Sequence, residues 1–549
     1  MTVDELKQAV AEGTVDTVLL AIADMEGRLQ GKRLTASYFL DETLAHGAEG
    51  CNYLLAVDVD METVDGYAMS SWERGYGDFE MKPDLSTLRP VPWQEATVMV
   101  MADIQWAEGE PVAPSPRQIL RRQLERLAER GLTAFAGTEL EFIVFRNTYE
   151  DAWRRGYRDL EPANLYNVDY SLLGTARVEP LIRRIRNEMA GAEMTVENSK
   201  GECNFGQHEI NFHYGEALRV ADDHAIYKNG AKEIAAQEEM AITFMAKFNE
   251  LEGNSCHIHC SLASLEDGTN AFGDDQALFD RFVAGQIACM RELTLFFAPQ
   301  INSYKRFSAG SFAPTAVAWG KDNRTCALRV GRPRPVTADR EPLPGADVNP
   351  YLALAAMIAA GLHGIENELE LEAPIEGNAY ESDAPRVPGT LAAARDLFAE
   401  SAVAREAFGD EVVDHYLNHA RRGARGVRIG DHRLGEVPGL REALTVVVGI
   451  LSAVERVRWG AWDETVVMVP RSYARSVQDA GALALVLPPD DAVAEAPDAH
   501  ARPPRRDRAR RWLGRGPHLL RRPPSPRDEG HVARARPLRA RRGAPRAGA

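Results

Sequence analysis

The stretch Thr133-Ala-Phe-Ala-Gly-Thr-Glu-Leu-Glu-Phe-Ile-Val-Phe145 constrains the fold more than any other part of the chain. It is aromatic and β-branched, it alternates, and it follows a helical pattern that ends at Arg130-Gly131, so it reads as a buried strand. Side chains alternate across a strand, which puts Glu139 and Glu141 on one face, roughly 6.6–6.8 Å apart along it. Leu140, Phe142 and Val144 then point into the core. Two carboxylates on one face of a core strand repel each other and lose hydration. They persist where cations or arginines compensate them. An isolated E-x-E is more often the wet face of an edge strand, so the other segments decide.

At 549 residues the chain has room for two or three domains. Its composition, 45% apolar and 26% charged, is that of a globular protein. No stretch resembles a signal peptide or an apolar run of about 18 residues, so a cytoplasmic, non-membrane protein is expected. A net charge of −17 argues against a nucleic-acid binder. The six cysteines are sparse, which suggests reduced thiols.

Taken in order, residues 4–12 read as a helix and Val15–Ala23 as an apolar strand. A turn follows at Asp24-Met-Glu-Gly27, then a polar-faced strand at Gly31-Lys-Arg-Leu and a helix over Tyr38–His46. After an irregular stretch over 58–80, Ala96–Ile104 is another strand. These elements make a small α+β domain over 1–108. Ser115-Pro116 opens the next helix, with Ser as N-cap and Pro at the first position. A larger α+β domain runs over 112–420.

Within it, Gly201-Glu-Cys-Asn-Phe-Gly-Gln-His-Glu-Ile-Asn-Phe212 adds Glu202 and Glu209, and Gln207, Glu209 and Asn211 alternate as on a strand with one polar face. A helix over Asp222–Met240 follows. In Gly253-Asn-Ser-Cys-His-Ile-His-Cys-Ser-Leu262, alternation puts His257 and His259 on one face and Cys256, Ile258 and Cys260 on the other. That split disfavours a zinc site built from both residue types. A lone His is usually a satisfied core residue; two facing a carboxylate cluster favour a metal. Arg306, Arg324 and Arg329 are either plain salt-bridge partners or an oxyanion site, for which the guanidinium fork is suited.

Taken together these segments resemble the glutamine synthetase family. The motifs are G-x-E-x-E-F at 137–142, E-x3-GQ-x-E at 202–209, H-x-H at 257–259, NSYKR at 302–306, NR-x4-R at 323–329 and NPYLALAA at 349–356. The resemblance implies an N-terminal β-grasp domain and a catalytic domain with an open antiparallel sheet. It also implies stacked rings, a homo-dodecamer of two hexamers with each active site between two subunits. It implies two Mg²⁺ or Mn²⁺ ions per site, with ATP, glutamate and a small amine as substrates. Glu141, Glu202 and Glu209 would hold one ion. Glu139 and His257 would hold the other, with Glu341 as the further carboxylate. His259 and Ser261 would meet ATP. Arg306 would hold the glutamate carboxylate beside Gly253, and Arg324 and Arg329 would face the transferring phosphoryl group and ATP. The residue types fit phosphoryl transfer to a carboxylate, giving an acyl phosphate open to an amine.

The chain departs from the family pattern at the amine end. Ammonia-using members carry a flap Glu where this chain has Phe312 in Ser308-Ala-Gly-Ser-Phe-Ala-Pro314, and the family's D-G-S-S motif is missing. Glu252 replaces a family Asn beside the glutamate site and is the candidate base. An aromatic suits the methylenes of an alkylamine, or its charge through a cation–π contact. The departures resemble the subfamily that joins glutamate to ethanolamine or polyamines. Alternatives are a glutamine synthetase proper and a non-catalytic regulatory relative. Before NPYLA, Glu341 stands one place out of register and Pro342 replaces a family Arg, the pattern a compensated frameshift leaves.

Residues 421–445 read as an irregular, out-of-frame linker without helical periodicity. Residues 446–490 read as strand–helix–strand and resemble the N-terminus of class I amidotransferase-like γ-glutamyl hydrolases. Residues 491–549 are Arg- and Pro-rich without Lys and are expected to be disordered, as a wrong-frame translation would be. A nucleic-acid-binding tail is the other reading of that composition.

Overall fold

In a computed structural model the described residues are 1–308, 311–331, 339–341, 343–429, 447–451, 453–459, 462–468 and 483–487. Side chains are described through Arg421, apart from 274 and 339–341. The chain divides into two compact units, Met1–Leu444 and Thr445–Ala549.

The first unit opens with the helix Val3–Ala11, whose N-terminus is closed by a reciprocal Thr2–Glu5 capping box. Strands β1 (Thr17–Ala23), β2 (Leu29–Thr35), β3 (Ala48–Cys51), β4 (Asp78–Pro83), β5 (Arg89–Pro90) and β6 (Thr97–Gln105) follow. Their sheet has the order β2-β1-β6-β4-β3, with β5 on β6. The β1–β2 hairpin is antiparallel, whereas β1 and β6 run parallel. Residues 36–46 are helical throughout, with one π turn at Phe39–Thr43.

The second sheet has nine strands. These are β7 (Leu132–Phe145), β8 (Val196–Gly201), β9 (Gln207–Phe212), β10 (Gly215–Glu216), β11 (Ala241–Thr243), β12 (Cys256–Ser264), β13 (Ala316–Lys321), β14 (Cys326–Val330) and β15 (Asp339–Glu341). The order is β13-β14-β15-β12-β7-β9-β8, with β10 and β11 also on β7. The expected strand over 133–145 is therefore the centre of the sheet. The sheet is not wholly antiparallel, because β13 and β14 pair in parallel. In the link between them the Asn323 amide donates to the carbonyls of Ile375 and Gly377 at 3.1 and 2.9 Å.

Long helices cover the sheet. Pro350–Glu366 is apolar on nearly every face and is buried along most of its length. Ala217–Gln237 begins five residues before the position read from sequence, because the preceding turn carries no strong stop signal. Ser115 precedes the helix Pro116–Ala128 as expected, but its hydroxyl caps no helix N–H. Both sheets contribute to one apolar cluster that reaches from Leu6 to Ala420.

The helix Asp410–Ile429 continues past the point where an irregular linker was expected. Arg and Ala are strong helix formers, and two glycines at roughly 1 kcal/mol each do not stop a helix already nucleated. In the second unit, β16 (Val447–Leu451) pairs in parallel with β19 (Leu483–Leu487), matching the two expected strands. Between them, β17 (Ala453–Trp459) and β18 (Trp462–Met468) form an antiparallel pair in the first part of the interval read as helical, and residues 469–482 of that interval lie outside the described residues. Both are rich in β-branched and aromatic residues, which favour strands. Residues 430–446 and 488–549 lie outside the described residues.

Candidate active site

Strand β7 is bonded on one side to β9 and on the other to β12. Register sets the first contacts: Glu141 lies directly across from Glu209, and Glu139 directly across from His257. Cross-strand pairs stand about 4.5–5.5 Å apart at Cβ. Glu202 follows β8, whose last residue Gly201 pairs with His208. Ligand atoms of Glu141, Glu202 and Glu209 lie within 4.8 Å of one another, as do those of Glu139, Glu209 and His257. Glu209 belongs to both groups, a sharing that sequence spacing alone did not indicate.

These groups wall a cavity of about 460 Å³. Glu141 and Glu209 are buried, at 6% and 2% exposure. Burial first, and the Glu209 carboxylate second, push the Glu141 carboxyl well above the usual carboxylate range. Gln207 Nε2 and the Ser255 N–H both donate to Glu141 Oε2, at 3.0 and 2.8 Å. Asn211 Nδ2 donates to Glu209 Oε1 at 2.9 Å. Oxygen-rich donors held at this spacing fit Mg²⁺ or Mn²⁺, and the mutual repulsion of the carboxylates is what a divalent ion relieves.

Both histidines meet Glu139. His257 Nδ1 lies 3.1 Å from Oε2, and His259 Nε2 lies 2.9 Å from Oε1. Alternate residues of β12 share a face, and Glu139 stands between them. His259 does not line the cavity, and Ser261 is buried across from Phe135, so neither expected nucleotide contact lies on the cavity wall. Glu341 lies across from Ile258 in β15. Its side chain is outside the described residues, as are Ala309, Gly310 and most of the 332–342 segment.

Arg306 closes the short 3₁₀ turn Ser303–Arg306 and is 2% exposed. It donates to Ser255 Oγ at 2.7 Å and to the Leu343 carbonyl at 2.9 Å. Gly253 makes room for it: a Cβ there would stand 2.8 Å from Arg306 Cγ and 2.5 Å from the Ala246 carbonyl oxygen. Arg324 and Arg329 reach the same cavity from the link after β13 and from β14, with Arg329 paired to Asp322. Glu252 is on the wall beside Gly253. Phe312 is there too, 66% exposed. The Tyr380 hydroxyl donates to the Ser311 carbonyl and Ser311 Oγ donates to the Arg306 carbonyl, which fixes the segment presenting Phe312.

Sequence reasoning missed Lys200, Asp169, Tyr170 and Cys203, all on the cavity wall. Lys200 and Cys203 had a readable signal, since they fall two residues before and one residue after Glu202.

The sequence profile of the glutamine synthetase catalytic domain matches residues 113–433. γ-Glutamylethanolamide synthetase GlnA4 of Streptomyces coelicolor is 65% identical over 423 residues, covering 76% of this chain and 91% of that protein. Glutamate–isopropylamine ligase of a Pseudomonas species is 38% identical, covering 75% and 92%. Thermus thermophilus glutamine synthetase is 33% identical, covering 62% and 78%. Among solved structures, apo GmaS without ligand superposes with a TM-score of 0.67 at 27% identity, covering 77% of this chain and 96% of that one. A profile match over more than half the chain, together with relatives matched over most of their length, shows that this chain belongs to the glutamine synthetase family.

Proposed function

We propose that the chain is an ATP-dependent ligase that joins the γ-carboxylate of glutamate to a primary alkylamine. The observation that carries this reading is Phe312, a large apolar side chain exposed on a cavity wall made mostly of charged and polar groups. Two relatives named as ligases for ethanolamine and isopropylamine support it.

In the first step a γ-carboxylate oxygen of glutamate attacks the γ-phosphorus of ATP, and ADP leaves. Arg306 holds the substrate carboxylate, and Arg324 and Arg329 stabilise the phosphoryl group in transfer. In the second step the amine nitrogen attacks the acyl carbon, phosphate leaves, and Glu252 takes the amine proton. Mg²⁺ or Mn²⁺ held by Glu141, Glu202 and Glu209, and by Glu139, Glu209 and His257, would neutralise phosphate charge in the first step. We assign Glu341 no ligand role, because it pairs in register with Ile258 and not with His257, and we keep His259 and Ser261 as outer nucleotide contacts.

We read the N-terminal sheet as a β-grasp, supported by its hairpin, its helical segment over 36–46 and its parallel β1–β6 pair. We also assign a dodecameric assembly and a cytoplasmic location, both carried over from the family resemblance. Among the described residues no helix is long and apolar enough to cross a membrane.

The test is a comparison of kcat/KM for ethanolamine, putrescine and ammonium. Two methylenes buried on Phe312 at about 0.8 kcal/mol each favour ethanolamine over ammonium by roughly tenfold. Equal or better use of ammonium makes the chain a plain glutamine synthetase. No metal-dependent phosphate release with any amine makes it a regulatory relative.

A further inference from the structure

Lys200 lines the cavity, yet the chemistry above leaves it without a part. It lies directly across the β8–β9 ladder from Glu209. Its ammonium is bonded to Glu202 Oε1 and stands 3.8 Å from Glu209 Oε1. The ring of Tyr170 lies beneath it, with Nζ 4.9 Å from the centroid. The Lys200 side chain is 20% exposed and that of Glu209 3%, so this is a largely enclosed cation on enclosed acids.

Local backbone fixes the arrangement. A Cβ on Gly201 would stand 2.3 Å from the Val168 carbonyl oxygen, so only glycine lets the 168–170 segment pack against the end of β8. The Tyr170 N–H donates to the Gly201 carbonyl at 3.4 Å. Tyr170 itself takes a φ of +53°, a left-handed backbone that a bulky residue adopts only when its surroundings hold it there. The aromatic face is thus set beside Lys200 at some conformational cost.

An ammonium and a divalent ion seek the same carboxylate oxygens. Lys200 already engages two of the three side chains, Glu202 and Glu209, that form the first ion position with Glu141. We propose that Lys200 is an internal competitor for this position, an ammonium that keeps Glu202 and Glu209 together until a divalent ion displaces it along the face of Tyr170 toward Asp169. The inference rests on the metal reading of the site given above. Under it Lys200 sets the metal concentration at which the site loads, because each ion that binds must break an existing ion pair and then share the cavity with a positive charge. The cation–π face keeps part of the attraction the ammonium gives up.

The test is Mn²⁺ binding to the full chain without nucleotide or amine, read from the paramagnetic resonance of free Mn²⁺, with thermal unfolding alongside. Lys200→Met is expected to bind Mn²⁺ roughly tenfold tighter than wild type, since a nearby positive charge and a competing pair are both removed. Its unfolding midpoint in EDTA should fall, and should rise more than that of wild type when Mn²⁺ is added. Lys200→Arg keeps the charge and should restore weak binding. Lys200→Gln repeats the measurement should the Met variant fold poorly. Unchanged or weaker Mn²⁺ binding in the neutral variants overturns the proposal while leaving the ligand assignment standing. A wild-type chain that binds no Mn²⁺ overturns both.

Discussion

Gln207 and Ser255 pin one oxygen of Glu141, so the direction of the carboxylate toward its neighbours is set by groups that carry no charge themselves. Gln207 Nε2 also reaches the carbonyl of Gly253 and Oδ1 of Asn254, each at 3.0 Å. It thereby ties the proposed ion position to the loop against which Arg306 packs. Gln207→Leu should raise the metal concentration needed for half-maximal activity by about 10–100-fold while leaving the rate at saturating metal much less affected. An unchanged metal titration would remove Gln207 from this role. Glu209→Ala takes away the one carboxylate common to both proposed ion positions. Its turnover should drop by more than about a hundredfold, while circular dichroism and unfolding without metal stay near wild type, because repulsion with Glu141 goes with it. Activity within about twofold of wild type would refute the assignment. At this scale the sequence reading went furthest: a period of two placed Glu139 with Glu141, Gln207 with Glu209, and His257 with His259. It could not show that Glu209 serves both groups or that His259 turns to Glu139. Those facts depend on which strands flank β7, and strand order is not written in any one segment.

The helix Asp410–Ile429 shows what an element adds. Near its middle it sends His415 and His419 onto the turn after β1, where His419 Nε2 meets Glu26 Oε1 at 2.9 Å. Tyr67 Oη lies 3.5 Å from the other His419 nitrogen, and Asp24 and Arg28 supply the further charges. Burial disfavours both charged forms, yet the pair prevails. Glu26 is held below its ordinary value of 4.5, and His419 above its ordinary value of 6.5. Burial pushes the neighbouring His415 down to about 3, so it stays neutral. The raised His419 contributes stability that is full below 6.5 and is lost as pH climbs through its folded value. The lowered Glu26 contributes stability that is full above 4.5 and is lost as pH falls through its folded value. Between 4.5 and 6.5 both contributions are complete. The unfolding midpoint of His419→Gln should therefore fall furthest below wild type in that window, and the gap should narrow at alkaline pH. A gap independent of pH would show that His419 acts by packing alone. None of this was legible beforehand, because Glu26 and His419 are far apart in sequence and neither lies in a recognisable motif.

At the scale of the whole molecule, the N-terminal unit and the tail were legible to different degrees for a physical reason. Up to Ala420 apolar periodicity is strong, and the buried cluster follows it from Leu6 onward. Beyond that point the reading rested on short apolar runs, a resemblance over 446–490 and composition. The described strands at 447–451 and 483–487 fall at the two ends of the stretch read as strand–helix–strand, while the continuation of the helix to Ile429 and the antiparallel pair at 453–468 were not read. Every cavity residue lies between Glu139 and Arg329, well inside the unit that ends at Leu444. The profile match also stops at 433. On both counts we expect residues 445–549 to be dispensable for the chemistry, as a tail read from another frame would be. A chain ended after Leu444 should unfold within about 2 °C of the full chain, since no described residue of its core is removed. Its kcat/KM for ethanolamine should stay within about twofold. Sequencing the coding DNA supplies the complementary check, an alternative frame that opens after the family match and reaches a stop soon afterwards. If the shortened chain instead loses more than about tenfold in kcat/KM, the tail is part of the working protein and the wrong-frame reading fails with it.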